Sequence, residues 1–202
     1  MMVNLELYHT CRFEGDEAEI LKSAPFKARN NRQQWLGVGY YFWVESLRFA
    51  ELWERQSPAY KEHGYLVIRY TAEIERDDLL DLVGSPKDQE GFLELLSVMA
   101  KELGNRGGNL TVSACVEWLR SKERFEWLAV KLADYGKSDR LTEQATPVIR
   151  ENGELTFLKP RVQLCLYAEP SDSKIEFFCT GVVGRGGRYS GKKKQSLFKS
   201  YK

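Results

Sequence analysis

Three short stretches carry side chains with chemistry to offer. They are His9 in LELYHT, the glycines and aromatics of WLGVGYYFW at 35–43, and Gln163 inside the apolar run VQLCLY. The chain holds only two histidines, and Cys11, Cys115, Cys165 and Cys179 stand far apart with no paired spacing. No metal-ligand pattern results, and cysteines scattered in this way are expected as reduced thiols. A GxSxG elbow and a GxxxxGKS/T phosphate loop are both missing. GVG is too short for a dinucleotide fingerprint, and no parallel βαβ unit surrounds it. Binding chemistry remains. Gly37 and Gly39 beside Tyr40, Tyr41, Phe42 and Trp43 mark backbone that must bend or be closely approached. A buried strand glutamine needs hydrogen-bond partners, and a ligand is one source. Each feature also has a plainer reading: His9 as a satisfied strand-end residue, the aromatics as core, Gln163 as an edge or outward residue.

The elements that must position these residues are read from periodicity. Residues 3–10 alternate as a strand and 16–23 form a short helix, followed by a polar loop into the glycine/aromatic stretch. Val44, Leu47, Ala50 and Trp53 share a helical face over 44–56, and YLVIRYTAEI at 65–74 is the clearest strand. Helices are predicted over 88–104, stopped by Gly104, and over 111–122, capped by Thr111. Periodicity leaves 125–136 open between buried strand and helix. Asn152-Gly153 predicts a hairpin over 146–158, and two more strands come after it at 161–169 and 174–183. This order predicts an α+β fold with antiparallel pairing. One domain is expected over 1–183, with 184–202 as a basic Gly/Lys-rich tail.

The net charge of +1 hides an asymmetry. Residues 183–202 hold seven basic side chains and no acidic one, so 1–182 carry 23 basic against 29 acidic residues, about −6. Such a tail is either a solvated end or a contact for nucleic acid or an acidic partner, helped by Tyr189, Phe198 and Tyr201. The 43% hydrophobic fraction excludes a disordered chain, and no apolar run approaches a membrane span. The start, MMVNLELYHTC, has no signal-peptide pattern, so a cytoplasmic protein without membrane contact is expected.

Taken together, LYHT on an early strand, GVGYYF leading into an amphipathic helix, and a lone polar residue on a late strand form a pattern. It resembles the ADP-ribosyltransferase fold of the diphtheria-toxin and poly-ADP-ribose-polymerase type, and most nearly small bacterial proteins with LYHG and GxGFYxT motifs. The corresponding stretches here are LYHTC, GVGYYFW and RFAELW, with the likeness firmest over 5–54, continuing over 65–83 and weaker over 161–178.

The resemblance implies split antiparallel β-sheets with flanking helices and NAD as substrate. It implies that His9 hydrogen-bonds a ribose, that Tyr41 stacks on the nicotinamide, and that Gly39 lets backbone approach it. Phe49 or Trp53 would form a second aromatic wall, and Gln163 would stand at the catalytic glutamate position. Two departures stand out. Thr10 replaces the usual glycine after the histidine, where backbone clamps the nicotinamide amide, and Gln163 replaces the glutamate unless Glu169 plays that part. The function implied is an NAD-dependent mono-ADP-ribosyltransferase of unknown acceptor, protein or nucleic acid, in a toxin or defence setting. The alternatives are a non-catalytic NAD- or partner-binding module on the same fold, and an unrelated α+β interaction protein.

Overall fold

Strand β1 (Met2–Arg12) leads to α1 (Glu17–Ser23), β2 (Tyr40–Val44) and α2 (Leu47–Leu52). Next come β3 (Tyr65–Glu75), one 3-10 turn (Arg76–Asp78), β4 (Leu79–Asp81), α3 (Pro86–Leu103) and α4 (Val112–Ser121). The later elements are β5 (Ala129–Ala133), β6 (Thr146–Ile149), β7 (Leu155–Leu158), β8 (Val162–Leu166) and β9 (Ile175–Gly186). The computed structural model describes residues 1–28, 34–53, 60, 63–104, 111–133, 146–149, 155–158, 161–172 and 174–186. Seven strands form one sheet in the order β4-β5-β8-β2-β1-β3-β9, and β6 and β7 form a separate antiparallel pair. The class is mixed α+β.

Local chemistry sets the helix starts. The Asp16, Ser46, Ser85 and Thr111 side chains each accept a first-turn N–H, and Pro86 occupies the first turn of α3. The expected helix over 44–56 starts later. Val44 belongs to β2, and Glu45 turns the chain at φ 54° before Ser46 caps α2. The open segment 125–136 contains a strand, because β5 is interior and pairs with both β4 and β8. Pairing departs from the antiparallel expectation at one place: β4 and β5 run parallel, joined through α3 and α4. Antiparallel β6 and β7 agree with the hairpin expectation, although Asn152-Gly153 lies outside the described residues. Strand β9 runs on to Gly186, and Arg185 pairs with Glu17, so residues 184–186 belong to the sheet. The rest of the basic segment, 187–202, lies outside the described residues. Among the described residues no helix is long and apolar enough to cross a membrane.

Alternation along the strands divides the core between the two faces. Leu5, Leu7, Phe42, Leu164 and Leu166 build one cluster with Ile20 of α1. Two clusters occupy the other face. Tyr8, Trp43 and Val67 pack with Phe49 and Ala50 of α2, while Val130, Cys165 and Tyr167 pack with residues of α3 and α4 and with Leu36.

The sheet has a seam. Strands β1 and β3 pair from Met2↔Glu75 to Arg12↔Tyr65, but β1 and β2 share only Leu7↔Val44 and Tyr8↔Trp43. Past Tyr8, a side chain continues the link where a ladder would have run: His9 Nδ1 lies 2.9 Å from the Tyr41 carbonyl oxygen.

At the β4 end a charged cluster fixes the entry to α3. Arg76 Nη2 donates to both Asp88 carboxylate oxygens at 2.9 Å, and the Asp81 N–H donates to the same carboxylate at 2.7 Å. Burial alone would raise the Asp88 carboxyl, but these donors bring it below its ordinary value of 3.8. A carboxylate whose pKa folding lowers contributes stability above the ordinary carboxylate range and loses it as pH falls through the folded value. Asp88→Asn should therefore lower stability at pH 7 by about 1–3 kcal/mol. Urea unfolding at a series of pH values should show the gap from wild type closing below about pH 4.

Candidate functional site

Where the two clusters of the α2 face meet, residues from three neighbouring strands converge. Trp43 of β2 stands directly across from Gln163 of β8, and Tyr41 across from Cys165. On the other side of Gln163 lies Leu132 of β5, and on the other side of Trp43 lies Tyr8 of β1. Side-chain alternation puts Thr10, Tyr41 and Gln163 on this same face, within the order β8-β2-β1.

The glycine/aromatic stretch is built to make a tight loop and then a strand. Gly37 has φ 89°, a conformation open to glycine at little cost. The Tyr41 hydroxyl reaches back to donate to the Gly37 carbonyl at 2.8 Å and to accept the Leu36 N–H at 3.0 Å. Burial beside Cys165 pushes that hydroxyl well above its ordinary pKa, so it stays a neutral brace. The close approach at Gly39 comes from β8. A Cβ there would meet Cys165 Sγ at 2.5 Å and the Leu166 carbonyl at 2.6 Å. Strand packing thus accounts for Gly39 without any ligand.

The remaining expected residues divide by face. His9 lies on the Phe42 side, its ring 5.7 Å from that of Phe42. Its Nε2 accepts the Phe26 N–H at 3.2 Å, which leaves Nδ1–H to donate to Tyr41. Burial lowers its pKa, partly opposed by the bond to the Tyr41 carbonyl, and the ring is neutral. Both nitrogens are thereby committed to backbone, and neither is directed to a ribose. Thr10 Oγ1 donates to the Ala50 carbonyl at 2.7 Å and ties α2 to β1. Phe49 is buried against Trp43 at 5.9 Å, so it supports that indole from behind. Trp53 approaches the same ring at 5.8 Å.

Gln163 is 5% exposed, which excludes an outward position, and its Oε1 accepts the Trp35 indole N–H at 2.9 Å. Glu169 is not part of this group. It lies beyond the far end of β8, takes the Tyr40 hydroxyl, and pairs with Lys27 at 2.9 Å. Tyr40 is buried in the opposite core.

Two further members were missed from the sequence. Arg161 is buried, with its guanidinium 5.7 Å above the Trp43 ring, and Trp35 covers Gln163. Their signal was faint, because an arginine next to Pro160 reads as a strand boundary and Trp35 as one more aromatic. Among the described residues no group of three or more His, Cys, Asp or Glu could hold a metal ion. A separate open depression of about 350 Å³ beside Arg120, Phe125 and Tyr167 contains none of the expected site residues. The convergent group offers amide and guanidinium donors with aromatic faces, and no carboxylate. That chemistry holds an oxygen-rich, partly planar ligand and does not itself move protons near neutral pH.

No protein-family model, curated protein or solved structure matches the chain.

Neutral His9 makes a thermodynamic prediction. Folding lowers its pKa, so the unfolded chain takes up the extra proton as pH falls below the ordinary value of 6.5. Stability should be full above that pH. Below it, the loss should approach about 1.4 kcal/mol per pH unit until the folded ring also titrates. His9→Gln should be less stable at pH 7.5 by about 1–3 kcal/mol and lack this slope between pH 6.5 and 5.5. Equal slopes in guanidinium unfolding of the two proteins would show that His9 is not buried neutral.

Proposed function

We propose that this chain binds NAD on the α2 face of β1, β2 and β8 as an ADP-ribosyltransferase-like protein. The observation that carries the reading is that Thr10, Tyr41 and Gln163 share one face of the sheet. These residues are distant in sequence, came from three separate motif positions, and stand on one face of adjacent strands. The seam between β1 and β2 supports it too, since two strand groups joined at only two register pairs suit a split sheet.

In the proposed mechanism the half-buried Tyr41 ring packs against the nicotinamide and Gln163 hydrogen-bonds the adjoining ribose. The bond from ribose C1′ to the nicotinamide nitrogen breaks with its electron pair leaving on that nitrogen, through an oxocarbenium-like state. An acceptor nucleophile then bonds to C1′ and releases its proton. His9 acts indirectly in this scheme, holding the Tyr41 backbone through its carbonyl. Basic residues beyond Gly186 favour nucleic acid as acceptor or partner on charge alone.

A second reading, NAD binding without turnover, is favoured by the neutral Gln163. A glutamate would stabilise the positive charge that develops as nicotinamide leaves, an electrostatic contribution on the order of 3 kcal/mol. One experiment separates the readings: NAD affinity by calorimetry alongside nicotinamide release from labelled NAD, for wild type and Gln163→Glu. The expected result is saturable NAD binding, weakened about fivefold in the variant because the amide donor is lost, with release raised about 10–100-fold. Binding with no release from either protein would favour the second reading. Absence of NAD binding by folded wild type would end both.

A further inference from the structure

We infer that Trp35 is a positioning residue that fixes the Gln163 amide with its nitrogen turned toward the ligand; this rests on the NAD reading above. An indole N–H donates and cannot accept, so the 2.9 Å contact from Trp35 Nε1 requires the oxygen end of the amide to face it. The two-fold ambiguity of a glutamine amide is thereby resolved by chemistry. Oε1 is spent on Trp35, and Nε2, with its two donor protons, is the end left for other partners.

Trp35 is itself held in place. The Leu36 N–H donates to the Tyr41 hydroxyl at 3.0 Å, and that hydroxyl donates to the Gly37 carbonyl at 2.8 Å. The Tyr167 hydroxyl donates to the Leu36 carbonyl at 2.6 Å, and the Gly37 N–H closes the turn on the Gln34 carbonyl at 3.1 Å. Leu36 is fully buried between these bonds. A backbone tied at four points directs the indole and does not swing as a flap. The site consequently presents N–H donors where a glutamate would present acceptor oxygens. It selects a ligand atom that accepts: on NAD, a ribose or carboxamide oxygen.

The test is a double-mutant cycle on the full chain, with NAD as titrant in calorimetry and the Trp35 indole proton tracked by NMR. In wild type that proton should exchange slowly with solvent, and its resonance should move in Gln163→Glu. Trp35→Phe keeps a ring but removes the donor, freeing the amide to rotate. NAD affinity should fall about fivefold, the loss expected of one neutral hydrogen bond. In the Gln163→Glu background both carboxylate oxygens accept, so no wrong orientation exists, and Trp35→Phe should change affinity by less than about twofold. An equal loss in both backgrounds would overturn the inference, because Trp35 would then act by its own contact. So would unchanged affinity in Trp35→Phe, or a fast-exchanging indole proton in wild type, which needs no variant to fold. Failure of wild type to bind NAD is a different result: it removes the proposed function, and this inference with it.

Discussion

A neutral imidazole bridges two groups of strands whose shared ladder is short. Strands β1, β3 and β9 pair along long registers, as do β2, β8 and β5 over shorter ones, yet β1 and β2 meet at only two pairs. The His9 ring bridges the strands beyond those two pairs, donating to β2 at Tyr41 and accepting from the backbone at Phe26. Only a neutral histidine has one donor and one acceptor on a rigid ring at this spacing. Protonation would set a second donor against the Phe26 N–H inside a buried environment, so desolvation and hydrogen bonding both favour the neutral form. This bridge and the pairing with Cys165 of β8 together fix the Tyr41 backbone, and the Tyr41 hydroxyl braces the loop at Leu36 and Gly37.

The consequence is seen on the α2 face. One face of the sheet carries a single cluster centred on Leu7, Phe42 and Leu164, while the other carries two, one under α2 and one under α3 and α4. Polar groups gather between those two clusters: Thr10, Arg161 and Gln163 are all buried. Burying such groups costs several kcal/mol in total unless each finds partners. Thr10 finds Ala50 and Gln163 finds Trp35, while the Arg161 guanidinium lies over the Trp43 ring. A buried amide fixed through its oxygen by Trp35, with its N–H groups still to be matched, is the kind of group that recognises a ligand's oxygen without a large reorganisation.

Much of this was legible because strand and helix periodicities are local. β1, β3, α3 and α4 were visible from their own side chains and caps, with bounds shifted by at most two residues. β4 was missed, being three residues long with no period to display, and its parallel pairing with β5 depends on a crossover through two helices. At the site, strand adjacency was readable as an expectation, whereas direction was not. His9 and Thr10 are neighbours in sequence, so one must face each side, and only the register with β2 decides which. Of the two glycines read as bend or close approach, Gly37 bends the chain at φ 89° and Gly39 is closely approached, but by β8, a partner more than a hundred residues later in the chain. Non-local contacts of that kind leave no mark on the residues beside the glycine.

The choice of glutamine at position 163 is best understood through its neighbour. A carboxylate there would accept the Trp35 N–H equally well, so the indole does not explain why the residue is neutral. Burial does. At 5% exposure an ionised side chain would need compensating charge, and the guanidinium of Arg161, two residues back on the same strand face, is the nearest candidate by position. Glutamine avoids that cost and keeps the bond to Trp35, at the loss of the field that would assist a developing cation. Two properties that pull in opposite directions are therefore joined: a buried amide held in one orientation by Trp35, and weak electrostatic drive for chemistry beside it. On the proposed NAD reading, a protein tuned in this way binds first and reacts slowly, with rate limited by the charge at position 163 and affinity by the aromatic and amide contacts around it.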